Sequence, residues 1–162
     1  MPAGSDFDQL YATQFHDLTI QIYAYLGDRH EAQDVVQEAF CRALARWDQV
    51  SGYHDPVAWV RRVAWNLATS RWRRLRTALA FARRQREEYV AGPGPDRVAL
   101  ANALDTLPPR QRRAVILHYL ADMTVDEVAR HEAVAPGTVK SWLHRARAAL
   151  AGQLDTEDVR DA

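Results

Sequence analysis

The sequence predicts an all-α protein of two small helical domains joined by a flexible linker, with a helix-turn-helix in the C-terminal domain. Three observations point there. Apolar residues recur at helical spacings along the chain, and nowhere do they alternate as a half-buried strand requires. A helix-breaking cluster, Ala91-Gly92-Pro93-Gly94-Pro95, separates two such stretches. Near the C-terminus two helix starts, at Thr124 and at Pro136, stand close together.

The first helix covers residues 7–26, with Leu10, Tyr11, Phe15, Leu18, Ile22 and Leu26 facing inward. Asp28-Arg29-His30-Glu31 has the pattern of a capping box and opens a second helix that runs to about Trp47. A loop, 48–55, contains Ser51, Gly52, Tyr53 and His54. Asp55-Pro56 then supplies an N-cap and a proline at the first helical position. The long helix that follows reaches about Arg76. Its inner stripe is Trp59, Val60, Val63 and Leu67, and another face carries Arg62, Asn66, Thr69 and Arg73, with Trp65 and Trp72 alongside. The expected domains are 1–76 and 96–150, separated by a linker, 77–95, whose first part could extend as a basic helix.

In the second domain, residues 96–107 and 108–121 form two helices. The second begins Leu107-Pro108-Pro109-Arg110-Gln111-Arg112-Arg113 and is apolar on one side and basic on the other. Thr124-Val125-Asp126-Glu127 is a capping box, followed by an apolar face of Val125, Val128 and Ala129. In the last helix Val139, Leu143, Ala146 and Leu150 form the inner stripe, while Lys140, Ser141, His144, Arg145 and Arg147 lie on the other face. A positive face of that length fits a major groove; a helical hairpin with a solvated basic face would show the same periodicity. Residues 151–162 read as a short acidic tail, too short for a further sensory domain.

A length of 162 residues, 48% of them apolar, is enough for one domain or two small ones. The lone Cys41, among Phe40, Ala43 and Leu44, reads as a core thiol and excludes an internal disulfide or a cysteine-based zinc site. No run is long and apolar enough to span a membrane, and no signal peptide is evident, so a cytoplasmic protein without cofactor is expected. The net charge of zero conceals segregation. Residues 1–60 hold three Arg against nine acids, and residues 61–90 hold nine Arg against two. A basic block beside aromatics suggests nucleic acid; an acidic block faces something else.

His30, Asp34 and Glu38 share one helix face with Gln37 beside them. A metal site there would need Glu-x-x-His partners on other helices, and the sequence has none, so no metal is expected. The face is either solvated or a docking surface for a basic partner. On the long helix, cations beside flat rings and amides suit single-stranded nucleic acid, since cations follow the backbone and rings stack on bases. Three tryptophans there are equally compatible with core filling.

In this order the pieces resemble an extracytoplasmic-function sigma factor of the sigma-70 family, in its two-domain form. The resemblance rests on Asp34-Val35-Val36-Gln37-Glu38-Ala39-Phe40, on residues 59–74 with Asn66-Leu67-Ala68 inside, and on Leu107-Pro108 followed by Gly137-Thr138-Val139-Lys140-Ser141 and Arg145-Ala146-Arg147. It implies that Asp34, Gln37 and Glu38 dock on the β′ clamp helices of core RNA polymerase. It implies that loop 48–58, with Tyr53 and His54, and Asn66 hold a flipped base of the minus-10 element, while Arg61, Arg62, Arg71, Arg73 and Arg74 follow the single strand. The linker would thread near the polymerase exit channel, and residues 108–119 would meet the β flap. Lys140, Ser141, His144 and Arg145 would read the duplex minus-35 element, with Thr138 and Arg147 nearer phosphates. An anti-sigma partner also belongs to this expectation. The chain departs from the family at His131-Glu132 and Ala133, where an apolar pair and Gly are usual, and Trp142 stands inside the reading helix. A stand-alone helix-turn-helix regulator would need neither the acidic face nor the tryptophan-rich helix. A nuclease built on Asp34 and Glu38 would show metal-dependent cleavage.

Overall fold

The computed structural model describes residues 3–82 and 95–160, and every regular element among them is helical. The chain divides into two compact units, Met1–Ala91 and Gly92–Ala162. Residues 83–94, which include most of the expected linker and all of the Gly/Pro break but Pro95, lie outside the described residues.

The first unit contains α1 (Ala3–Leu26), α2 (Arg29–Ala45), the single turn α3 (Trp47–Val50) and α4 (Pro56–Ala82). Gly27, at φ 74°, supplies the left-handed step between α1 and α2. Asp28 caps α2, its Oδ1 accepting from the Glu31 amide at 3.0 Å. The reciprocal half of the box is missing, because the Glu31 carboxylate pairs with Arg71 on α4 instead. Asp55 caps α4 through the Ala58 amide at 3.0 Å.

α1, α2 and α4 pack on one another. Leu18, Ile22 and Tyr25 of α1, Val35, Val36, Ala39 and Phe40 of α2, and Val60, Ala64, Trp65 and Ala68 of α4 are all buried and form the core. Aromatic rings gather around Phe40, with Tyr11 at 5.1 Å and Phe7 at 6.2 Å, and Phe7 in turn meets Trp47 at 5.3 Å.

For Trp65 the structure decides between the two readings the sequence left open: it fills the core, 2% exposed and edge-on to Tyr25 at 5.2 Å. Two helices cover α4, so its buried arc is wider than a single stripe, and the small Ala64 and Ala68 admit neighbours close enough to enclose the indole. Trp59, Val63 and Leu67 are only half-buried. Cys41 is exposed, not a core thiol. Its sequence neighbours Phe40 and Ala43 are buried, but successive helical residues point about 100° apart.

The second unit contains α5 (Pro95–Asp105), α6 (Pro109–Val115), a π-helical turn (Ile116–Leu120), α7 (Val125–Glu132) and α8 (Pro136–Arg160). α8 packs against α5, α6 and α7. The core is aliphatic: Leu104, Leu107, Ala114, Ile116, Leu117, Val128, Val139, Leu143 and Ala146. The basic side expected of α6 is largely internal. Arg112 is 2% exposed and donates to the carbonyls of Asp105 at 2.9 Å and Leu107 at 3.1 Å, which lie at and just beyond the end of α5. The stretch expected as an acidic tail continues α8 as helix to Arg160, and the Gln153 side-chain amide donates to the Thr106 hydroxyl.

Candidate nucleic-acid and docking faces

The helix-turn-helix is built as its sequence predicts. The Thr124 hydroxyl accepts from the Glu127 amide at 3.2 Å, and Glu127 Oε2 accepts from the Thr124 amide at 2.7 Å, so both halves of the capping box are made. α7 ends at Ala133, which adopts φ 55°, ψ 46°, a left-handed conformation that disfavours any residue with a Cβ. α8 then buries Val139, Leu143 and Ala146. That burial fixes the rotation of the helix. Lys140, Ser141, His144, Arg145 and Arg147 consequently face solvent on its open side, while Thr138 and Trp142 are half-buried at its margins.

His131-Glu132 fills the place where an apolar pair was expected. The Glu132 side chain is only 5% exposed and pairs with Arg113 of α6. His131 Nδ1 lies 3.3 Å from the same carboxylate. Burial opposes ionisation of Glu132, but the hydrogen bond from His131 and the Arg113 charge outweigh it and hold the carboxyl below its ordinary range. An ion-pair network thus does the packing that apolar contacts would otherwise do between α6 and α7.

On α4, Arg62, Asn66, Arg73 and Arg74 are exposed, and Arg61 and Thr69 are half-buried. Tyr53, 40% exposed, and His54 occupy the open loop that leads into this helix. Arg71 is half-buried and pairs with Glu31, which braces α4 against the start of α2. Trp72 is half-buried, 6.3 Å from Tyr25, with the Arg76 guanidinium 4.9 Å over its ring.

On α2, Asp34 and Gln37 are exposed, and Glu38 pairs with Arg42 one turn on at 2.6 Å. Cys41 and Leu44 continue this face at helical spacing, and Leu44 is 56% exposed. The sequence reading missed both; the signal was their distance of seven and ten residues from Asp34. His30 is exposed near the start of the helix. Among the described residues no three His, Cys, Asp or Glu side chains converge as a metal site.

Comparison with known proteins agrees with this arrangement. Residues 16–78 match the model of sigma-70 region 2, and residues 97–150 match that of sigma-70 region 4. The RNA polymerase sigma-E factor of Streptomyces antibioticus is 31% identical over 157 residues, covering 95% of this chain and 87% of the relative. The chain belongs to the extracytoplasmic-function sigma factors of the sigma-70 family. Its function is therefore to direct RNA polymerase to promoters.

The ECF RNA polymerase sigma factor SigW of Bacillus subtilis is 29% identical, covering 94% of this chain and 89% of its own length. The solved structure of the sigma factor RpoE in complex with the anti-sigma factor NepR, from Bartonella quintana, is 26% identical with a TM-score of 0.77, covering 93% and 97% of the two chains. Region 2 of this sigma factor includes the acidic face of α2 and the cationic face of α4, and region 4 includes the whole helix-turn-helix. No helix among the described residues is long and apolar enough to cross a membrane.

Proposed function

We propose that this sigma factor divides promoter recognition between two units, with domain limits near 1–76 and 96–150, and adds no bond-making chemistry of its own. The observation that carries the reading is the burial of Val139, Leu143 and Ala146, which turns Lys140, Ser141, His144 and Arg145 outward as one groove-sized face. That face reads the minus-35 duplex, with Thr138 and Arg147 toward its phosphates. In the other unit, Asp34, Gln37 and Glu38 dock on the β′ clamp helices, and residues 108–119 meet the β flap. Tyr53, His54 and Asn66 hold an unstacked minus-10 base, while Arg61, Arg62, Arg73 and Arg74 follow the strand. Binding the exposed strand offsets the unstacking cost of about a few kcal/mol per base. Arg71, paired with Glu31, braces this helix against α2.

The protein acts in the cytoplasm and is held in check by an anti-sigma factor, as the Bartonella relative's complex suggests. Run-off transcription with purified core polymerase on a genomic template pool tests the whole. The chain should start transcripts at discrete sites, and Glu38→Arg should abolish both those starts and co-purification with core enzyme. A wild-type chain that neither binds core polymerase nor selects start sites would overturn the reading.

A further inference from the structure

Region 4 contains a contact that neither its helical periodicity nor its charge pattern announces. Arg147 Nη1 donates to the Tyr119 hydroxyl at 3.1 Å across 28 residues of sequence, and both side chains are exposed. Tyr119 stands on the π-helical turn, where the Ala121 amide reaches back five residues to Ile116 O at 3.1 Å. Such turns interrupt the ordinary helical register and recur at functional sites. Here the turn keeps Ile116 and Leu117 buried while Tyr119, 49% exposed, faces solvent. The ring is supported edge-on by His118 at 4.8 Å, and His118 Nδ1 is hydrogen-bonded to the Met123 carbonyl at 2.7 Å. The hydroxyl is therefore held by a turn anchored in the core.

A phenol has one hydrogen to donate and lone pairs that accept. The bond from Arg147 uses a lone pair and leaves the hydrogen for another acceptor. A guanidinium carries five N–H donors in a rigid plane, so most of Arg147's remain available after this bond. The pair thus offers several convergent donors with a positive charge, which suits a phosphate oxygen. Its place along the helix fits as well. Arg147 follows Lys140 by two turns, about 10 Å of rise, close to the roughly 12 Å width of a major groove. A helix that puts Lys140 over base edges brings Arg147 to the rim, where the backbone runs.

We propose that Tyr119 is a DNA-contacting and positioning residue of region 4. Together with Arg147 it clamps one backbone phosphate of the minus-35 duplex, donating its own hydroxyl hydrogen and aiming the guanidinium. This rests on the proposed reading of α8 as the duplex-reading helix. Tyrosine suits the task because a carboxylate in its place would hold Arg147 but cancel its charge and repel the phosphate.

The test uses holoenzyme assembled from the full chain and core polymerase, with duplexes that the wild type enriches from a random-sequence pool as probe. Backbone phosphates across the upstream element are replaced one at a time by neutral methylphosphonate. Tyr119→Phe should bind the unmodified duplex about fivefold more weakly, select the same bases in a fresh enrichment and unfold at the wild-type temperature. Arg147→Ala should lose more, and the double variant should fall short of the product of the two losses. At one methylphosphonate position the wild type and Tyr119→Phe should become equal. Tyr119→Glu should bind worse than Tyr119→Phe. Wild-type binding by Tyr119→Phe, or a deficit that survives at every modified phosphate, would overturn the clamp while leaving the reading helix standing. Failure of the wild-type holoenzyme to enrich any upstream sequence would overturn the reading of α8 and the clamp with it.

Discussion

The N-terminal unit fills its interior with rings, whereas the C-terminal unit uses short aliphatic chains and secures its joints with arginine. In the first, Phe40 collects Phe7, Tyr11 and Phe15 around itself, and Trp65 lies against Tyr25. In the second, Arg112 binds the carbonyls at the end of α5, and Arg113 ties α6 to Glu132 on α7. Size accounts for part of the difference. A small domain buries a lower fraction of its surface, so apolar contacts alone leave it marginal. The lesson is that cationic side chains in a DNA-binding chain are not all there for DNA. Arg71, Arg112 and Arg113 hold the scaffold, and the faces left for partners are correspondingly narrower.

This contrast can be broken from either side. The largest effect is expected in the aromatic core. Trp65→Ala should destabilise the first unit by about 3–5 kcal/mol through the cavity it opens. Hydrogen exchange should accelerate across α1, α2 and α4 and leave α7 and α8 unchanged. If Trp65→Ala instead weakened single-strand binding with exchange unaltered, the residue would return to the nucleic-acid face. Next in size, Glu132→Ala should destabilise the second unit by about 1–3 kcal/mol, since it removes the covered carboxylate that binds both Arg113 of α6 and His131. Exchange should then rise in α6 and α7 only.

The same network gives the second unit an acid limit. Glu132 has a folded pKa below its unfolded value, so its contribution is complete above the unfolded glutamate value and disappears as pH falls through the folded one. Exchange in α7 measured down an acid series should show that loss, and Glu132→Gln should flatten it. The smallest expected effect sharpens the comparison in the opposite direction. Ala133→Gly removes a Cβ from the left-handed cap of α7 and should stabilise the second unit by about 0.5–1 kcal/mol. A fall in its melting temperature would mean that Ala133 makes a packing contact that outweighs backbone relief.

Much of the fold was legible because helices announce themselves locally. Asp28, Asp55 and Thr124 each cap the helix that their sequence context predicts. The stripe Val139, Leu143, Ala146 is buried as its spacing requires, and the residues expected on the open face of α8 are exposed. Capping and helical phase involve residues three or four apart, which a reader of the chain sees together. The candidate site was therefore clearest on α8, where one neighbouring stripe decides which side is free.

It was less clear on α4 and α2, where burial depends on how many helices cover the surface. Local spacing left Trp65 undecided, took Cys41 for a core thiol and gave no sign that Arg71 pairs with Glu31. The partners involved are far apart in sequence: Glu31 with Arg71, Arg113 with Glu132, Tyr119 with Arg147. The sequence by itself determined the helices, their caps, the order of the two regions and the cationic open face of α8. Only the tertiary structure decided which charges remain free for polymerase and DNA, because pairing and burial are set by the elements that pack against a residue and not by its neighbours along the chain.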